Sequence, residues 1–223
     1  MSKILDRVAD AGGFLYFVLI AVGYIVLASP YLPEDLESPQ AVVAHLEAHP
    51  PTTALWVGLW LEGAGLAALV LLAARIAGRI RAVQPAGWVP SAAVGLAVAA
   101  FTVKLASFGP GIAALHVDRY DAQTVTALLD LNDAAYDLSW AIDGAFAVLL
   151  GLGALAARAL PGWLAGLAVA AGLAVLVGLA VPSTFDLLQF VFLVWLLVTS
   201  GWLLARGDRR PVHEPRESVA AAA

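Results

Sequence analysis

The stretch TTALWVGLWLEGAGLAALVLLAAR, residues 52–75, decides the fold. From Thr52 to Ala74 it carries a single charged side chain, Glu62. As a helix at ~1.5 Å per residue it crosses a ~30 Å hydrocarbon core. A strand of a membrane barrel would instead alternate apolar and polar residues over about ten positions. Segments of the same kind run roughly from Gly12 to Ser29, Trp88 to Phe108, Ala134 to Ala157, Gly162 to Val181 and Phe185 to Ala205. The reading is an all-α polytopic membrane protein, a bundle of six transmembrane helices within residues 1–206. Residues 207–223, with Pro211, Pro215 and a run of alanines, are predicted to be a disordered tail.

Composition agrees. Of 223 residues, 61% are hydrophobic and 13% charged, with a mean hydropathy of +0.87, and a soluble fold could not cover that much apolar surface. The absence of cysteine excludes disulfides, iron–sulfur ligation and thiol catalysis. The net charge is −5 and no basic stretch suggests nucleic acid. The bilayer is therefore the first partner expected, and no cofactor motif is present.

Basic residues are retained on the cytoplasmic side during insertion. Lys3 and Arg7 precede span one; Arg75, Arg79 and Arg81 follow span two; Arg158 follows span four; Arg206, Arg209, Arg210 and Arg216 follow span six. Arg119 stands alone on the other side, so both termini are expected in the cytoplasm. A cleaved signal peptide fits less well, because Asp6 and Asp10 are foreign to a signal's basic leader and cleavage would leave five spans.

The outer loops carry helix signals. Ser38-Pro39 is a helix start and Pro50-Pro51 a stop, with Val42, Val43 and Leu46 forming one apolar face expected to lie on the outer interface. Glu34, Asp35, Glu37 and Glu47 make that loop acidic. Asp121 can cap a helix through Leu131, after which Asn132 or Asp133 can cap span four anew.

An internal repeat is also legible. Glu62-Gly63-Ala64, Ala73-Ala74-Arg75, Gly87-Trp88 and Gly95-Leu96-Ala97-Val98-Ala99-Ala100 in spans two and three echo Asp143-Gly144-Ala145, Ala156-Ala157-Arg158, Gly162-Trp163 and Gly166-Leu167-Ala168-Val169-Ala170-Ala171 in spans four and five. Two pairs running in the same direction suggest a pseudo-twofold axis along the membrane normal, although alanine-rich composition alone can produce such an echo.

Charge in hydrocarbon costs at least ~2.5–3.5 kcal/mol per residue and is kept mainly inside bundles. Glu62, Lys104 and Asp143 are such charges, with Asp137 and Asp186 nearer the outer surface. Counted at ~1.5 Å per residue from the cytoplasmic end, the first three fall about 20–24 Å up, at one level. One reading is an ion pair that orders spans two to four. The other starts from two carboxylates facing one lysine, which leaves an acid to bind a proton, in an outward-facing polar pocket. Tyr136, Trp140 and Asp143 share a helical face that can hold an organic cation, whereas aromatics so near a span's end are more often belt residues, as Trp56, Trp88, Trp163 and Trp202 are expected to be. His45 and His49, four apart, with His116 in the other outer loop, are candidate metal ligands set against the simpler reading of solvated interfacial histidines.

The stretch LLDLNDAAYDLSW, residues 128–140, followed by Gly144 and by Ala159-Leu160-Pro161-Gly162-Trp163-Leu164, resembles the middle of a group of bacterial six-helix membrane proteins known only as a domain of unknown function. The resemblance covers spans four to five best. It implies a fold and no catalytic residues, and a histidine at the start of the group's span four is replaced here near Asn132. Ligand or proton binding at Glu62, Lys104, Asp143, Tyr136, Asp137 and Trp140, with a small solute, a cation or a proton bound or carried, is favoured over the alternative of a membrane enzyme using Asp143 or Glu62 as general acid or base, since no nucleophile or metal set supports an enzyme. The further alternative is an accessory subunit packing through Gly63, Gly144, Gly151 and Gly153.

Overall fold

The structure is a computed structural model that describes residues 2–33, 38–181 and 184–206, without the side chains of Ser2 and Asp186. Glu34, Asp35, Glu37, the Asp186 side chain and the tail with Arg209, Arg210 and Arg216 lie outside the described residues. Every regular element described is helical: α1 (Ser2–Asp10), α2 (Gly12–Ile20), α3 (Pro39–Ala48), α4 (Thr53–Val83), α5 (Val89–Ala114), α6 (Ala122–Ala157), α7 (Gly162–Ala180) and α8 (Phe185–Arg206). Six stretches are long and apolar enough to cross a membrane: Gly12–Tyr31, Thr53–Val83, Val89–Ala114, Ala122–Ala157, Gly162–Ala180 and Leu187–Arg206. The chain is an integral membrane protein.

The spans close into a ring. Helix α2 packs on α4, α4 on α5, α5 on α6, α6 on α7, α7 on α8, and α8 returns to α2, while α4 also meets α6 across the middle. Lipid tails are as apolar as leucine, so this ring is held by close van der Waals packing and not by expulsion of water. Small residues set the approach. A Cβ on Gly12 would lie 2.5 Å from the Ala68 carbonyl oxygen of α4, and one on Gly13 would collide with the Leu196 carbonyl oxygen of α8. The adjacent glycines thus seat the start of α2 between two helices. The Gly13 N–H, an orphan donor of the first turn, is satisfied there by Ser200 Oγ at 2.8 Å.

Sequence periodicity did not reveal how span one continues. After Ile20 the chain becomes a π-helix, Ala21–Ala28, and then a 3₁₀ turn, Ser29–Tyr31. Within the wider coil, Gly23 and Gly58 of α4 are mutual contacts, each Cβ position lying 2.6 or 2.5 Å from the other's carbonyl oxygen.

The loop caps form as the sequence predicts. Ser38 Oγ accepts from the Ala41 N–H at 3.3 Å, and Asp121 accepts from the Thr124 N–H at 2.8 Å, the bond that chiefly holds the Asp121 carboxyl below its ordinary range. The predicted restart at Asn132 or Asp133 does not occur. Asn132 Nδ2 donates to Asp133 Oδ1 at 3.0 Å, so neither side chain caps a backbone N–H, and no proline or glycine between Ala122 and Asp143 breaks the helix. Helix α6 therefore runs unbroken from Ala122 to Ala157. Helix α3 lies on protein there instead of only on the interface, with Val42 and Leu46 buried against Ala114 and Val125. At the other end Arg158, with φ 51, closes α6 in the left-handed region.

The echoed halves pack differently. In α6 and α7, Gly144 and Gly172 meet: a Cβ on Gly172 would sit 2.5 Å from the Gly144 carbonyl oxygen. The position matching Gly172 in α5 is Phe101, and a Cβ on Gly63 would meet only Leu105 at 3.5 Å. A bulky ring where its counterpart has hydrogen keeps α5 away from α4.

Candidate functional site

Three helices bring the acids and a tyrosine into the interior. Glu62 of α4 and Asp143 of α6 are each 3% exposed, and Tyr16 of α2 is 4% exposed. Tyr16 lies within electrostatic reach of Asp143, Tyr136 and Glu62. The sequence reading missed it because a tyrosine within GGFLYFVLI looks like one more apolar residue. Asp143 Oδ1 is buried without a hydrogen-bond partner among the described residues, as are Trp195 Nε1 and Thr199 Oγ1 of α8.

Lys104 does not join the acids as expected. Among the described residues it makes no ion pair with Glu62 or Asp143. Its Nζ sits 3.5 Å from the centroid of the Tyr136 ring and 5.9 Å from that of Phe108. Glu62, Asp133 and Asp137 act on it only from farther away. The physical reason is axial. Tyr136 lies two turns, ~10 Å, nearer the N-terminal end of α6 than Asp143, on the same face, and Lys104 Nζ is drawn to the Tyr136 and Phe108 rings at that end. Counting residues gives similar depths for the Cα atoms, whereas a long side chain snorkels away from its own Cα. The ring imagined for an external organic cation thus holds the chain's own ammonium.

The remaining candidates separate. Trp140 is 6% exposed and stands edge-on to Tyr136, Phe185 and Phe192 at 6.1, 6.4 and 5.6 Å, which makes it a core residue and not part of an interfacial belt. Trp88 and Trp163 are exposed near helix ends, as belt residues should be. Asp137 is exposed. His45 and His49 stack with ring centroids 4.3 Å apart, and His49 Nδ1 is engaged by the His45 carbonyl oxygen at 2.9 Å. Stacked rings do not aim their nitrogens at one point, and no described group of three His, Asp or Glu side chains, His116 included, can hold a metal ion.

A second charged site was hidden in the count of topogenic arginines. Arg75 Nε donates to Asp10 Oδ1 at 2.8 Å, Arg75 Nη2 to Asp10 Oδ2 at 3.3 Å, and Arg75 Nη1 to Asp6 Oδ1 at 3.0 Å. The two acids that distinguish α1 from a signal leader clamp it to α4, leaving Ile4, Leu5 and Val8 exposed. The guanidinium groups of Arg79 and Arg206 both meet the Trp202 ring, at 5.4 and 6.0 Å from its centroid.

The cavity found among the spans is apolar. It holds about 540 Å³ between α4 and α5, with walls that include Trp56, Trp60, Gly63, Phe101 and Phe108 and no acid or base. The expected polar pocket of spans two, three and four is not this cavity. Gly144 and Gly151 pack against α7 and Gly153 against Val89, so three of the four glycines considered for a partner interface are already covered within the chain.

No protein-family model, curated protein or solved structure matches this chain. The site must be read from its own chemistry.

Proposed function

We propose that this protein binds and conducts protons through the interior of its helical ring, with Glu62 and Asp143 as the groups that carry them. The observation behind this reading is the pair of carboxyl groups at 3% exposure on α4 and α6, neither of them in an ion pair among the described residues, with Lys104 Nζ over the Tyr136 ring. An unpaired carboxylate in such a place is costly, so the neutral acid is the stable form. A group that is neutral in the closed bundle and ionises when water or a cation reaches it is what proton movement requires. Tyr16 lies within electrostatic reach of both acids and Tyr136 within reach of Glu62. Membership of the bacterial six-helix group and residence in a bacterial plasma membrane belong to the same proposal.

Asn and Gln mimic neutral acids. Asp143→Asn and Glu62→Gln should therefore stay within about 1 kcal/mol of wild-type stability in detergent, whereas breaking a buried charged pair would cost ~3–5 kcal/mol. In proteoliposomes with a pH-sensitive dye inside, the wild type should dissipate an imposed pH gradient and each variant should do so at least tenfold more slowly. Infrared spectra at neutral pH should contain a protonated carboxyl band that Asp143→Asn removes. Wild-type flux equal to that of empty liposomes, or no such band, would refute the reading.

Both termini are proposed to be cytoplasmic, since Arg75, Arg79, Arg81, Arg158 and Arg206 lie at or beyond one end of the ring. The protein has no cysteine, so single substitutions report cleanly. Arg119→Cys should react with an impermeant maleimide in intact cells and Arg79→Cys only after permeabilisation; the reverse pattern inverts the topology.

A further inference from the structure

The groove between α4 and α5 faces the bilayer along a wall of aromatic rings. Trp60 is 80% exposed and Trp56 40%, and Phe101, Leu105, Phe108 and Ile112 line the α5 side at helical spacing. From Phe101 to Ile112 that wall is ~16 Å long at ~1.5 Å per residue, lying within hydrocarbon at its inner end. Its volume of about 540 Å³ falls within the ~300–1,000 Å³ of small-molecule sites. The groove exists because Phe101 and Gly63 do not close as Gly172 and Gly144 do.

What distinguishes it from an ordinary lipid-facing dent is the charge at its rim. Lys104 is one helical step from the wall residues of α5, and its Nζ is 5.9 Å from the centre of Phe108, a wall residue. Among the described residues that ammonium meets aromatic faces and no oxygen acceptor at hydrogen-bond distance. An ammonium in hydrocarbon with unused N–H donors favours an anionic oxygen partner. An apolar trough beside such a cation fits one class of molecule, a long aliphatic chain ending in a carboxylate.

We infer that the α4–α5 groove binds a long-chain fatty acid, its chain lying against Trp56, Trp60 and Phe101 and its carboxylate paired with Lys104. The fatty acid enters sideways from the bilayer, with no channel through the protein required. Glu62, Asp133 and Asp137 oppose an anion only from beyond contact range, so the direct pair decides the preference. Because the site uses neither Glu62 nor Asp143 as a contact, it goes beyond the proton reading, and Asp143→Asn should leave it intact.

Bromine quenches tryptophan on contact, and Trp56 and Trp60 are in the wall. The full chain in phosphatidylcholine nanodiscs would be titrated with dibromostearic acid, with its methyl ester, and with brominated phosphatidylcholine as the bulk-lipid control. The acid should quench saturably, with a midpoint at least tenfold lower than the ester's. Lys104→Met should raise the acid midpoint at least tenfold and Lys104→Arg should restore it, while Trp56→Phe with Trp60→Phe should remove the quenched component. Ala64→Phe, which fills the groove, should abolish saturation while size-exclusion behaviour stays unchanged. Equal midpoints for acid and ester, or quenching that only follows the bulk lipid, would overturn the proposal using the wild type alone, even if a variant failed to fold. Acid binding unaltered by Lys104→Met would overturn it as well.

Discussion

Arg75→Met should destabilise the protein by about 3–5 kcal/mol, because it removes the guanidinium that is bidentate to Asp10 and leaves a carboxylate inside the structure without its cation. Asp10 is 3% exposed, so water cannot replace the lost donors without opening the junction between α1, α2 and α4. The second acid responds differently. The Asp6 side chain is 50% exposed at 3.0 Å from Arg75, and Asp6→Asn should cost at most about 1 kcal/mol. Combining Arg75→Met with Asp10→Asn should recover much of the loss, since the double variant has no bare charge. Denaturant or thermal unfolding in detergent reads all of these. Should Arg75→Met lie within 1 kcal/mol of wild type, or the double variant be no better than the single one, the clamp is ornamental.

Gly172→Ala and Gly166→Ala should have opposite effects although they are the same substitution about one and two-thirds turns apart in α7. At Gly172 the new Cβ would be 2.5 Å from the Gly144 carbonyl oxygen and 2.8 Å from Val148, so backbone must move, at a cost of about 1–3 kcal/mol or more. At Gly166 a Cβ meets nothing within 4 Å and alanine is the better helix former, so the change should be neutral or stabilising by up to about 1 kcal/mol. Unfolding titrations of the two variants in one detergent would decide the matter. Equal losses would show that helix propensity, and not the α6–α7 crossing, controls this position.

Both results bear on function through geometry. The α6–α7 crossing fixes the rotation of α6 and so where Asp143 and Tyr136 point, while the α4–α5 pair, lacking such a crossing, keeps the groove beside Lys104. An internal echo in sequence thus places one tight contact and one open trough at matching positions. The difference rests on Gly172 against Phe101.

By itself the sequence determined the class of fold and the number of spans. Uninterrupted apolar stretches of twenty or so residues have one stable form in lipid, because every backbone polar group must be satisfied within its own segment. It also determined the caps at Ser38 and Asp121, which depend on neighbours three residues away. The acids Glu62 and Asp143 were legible as interior residues, since charge in hydrocarbon has few other places to go. What it could not convey was who meets whom. The pairing of Arg75 with Asp6 and Asp10 joins residues 69 and 65 positions apart, and the bond from Gly13 to Ser200 spans 187. Such contacts depend on helix rotation and ring order, which no local pattern encodes. Lys104 on Tyr136, the π-helix in span one and the apolar groove were likewise decided by tertiary structure. Each depends on differences of a few ångströms in how neighbouring helices approach, set by glycine on one face and phenylalanine on another.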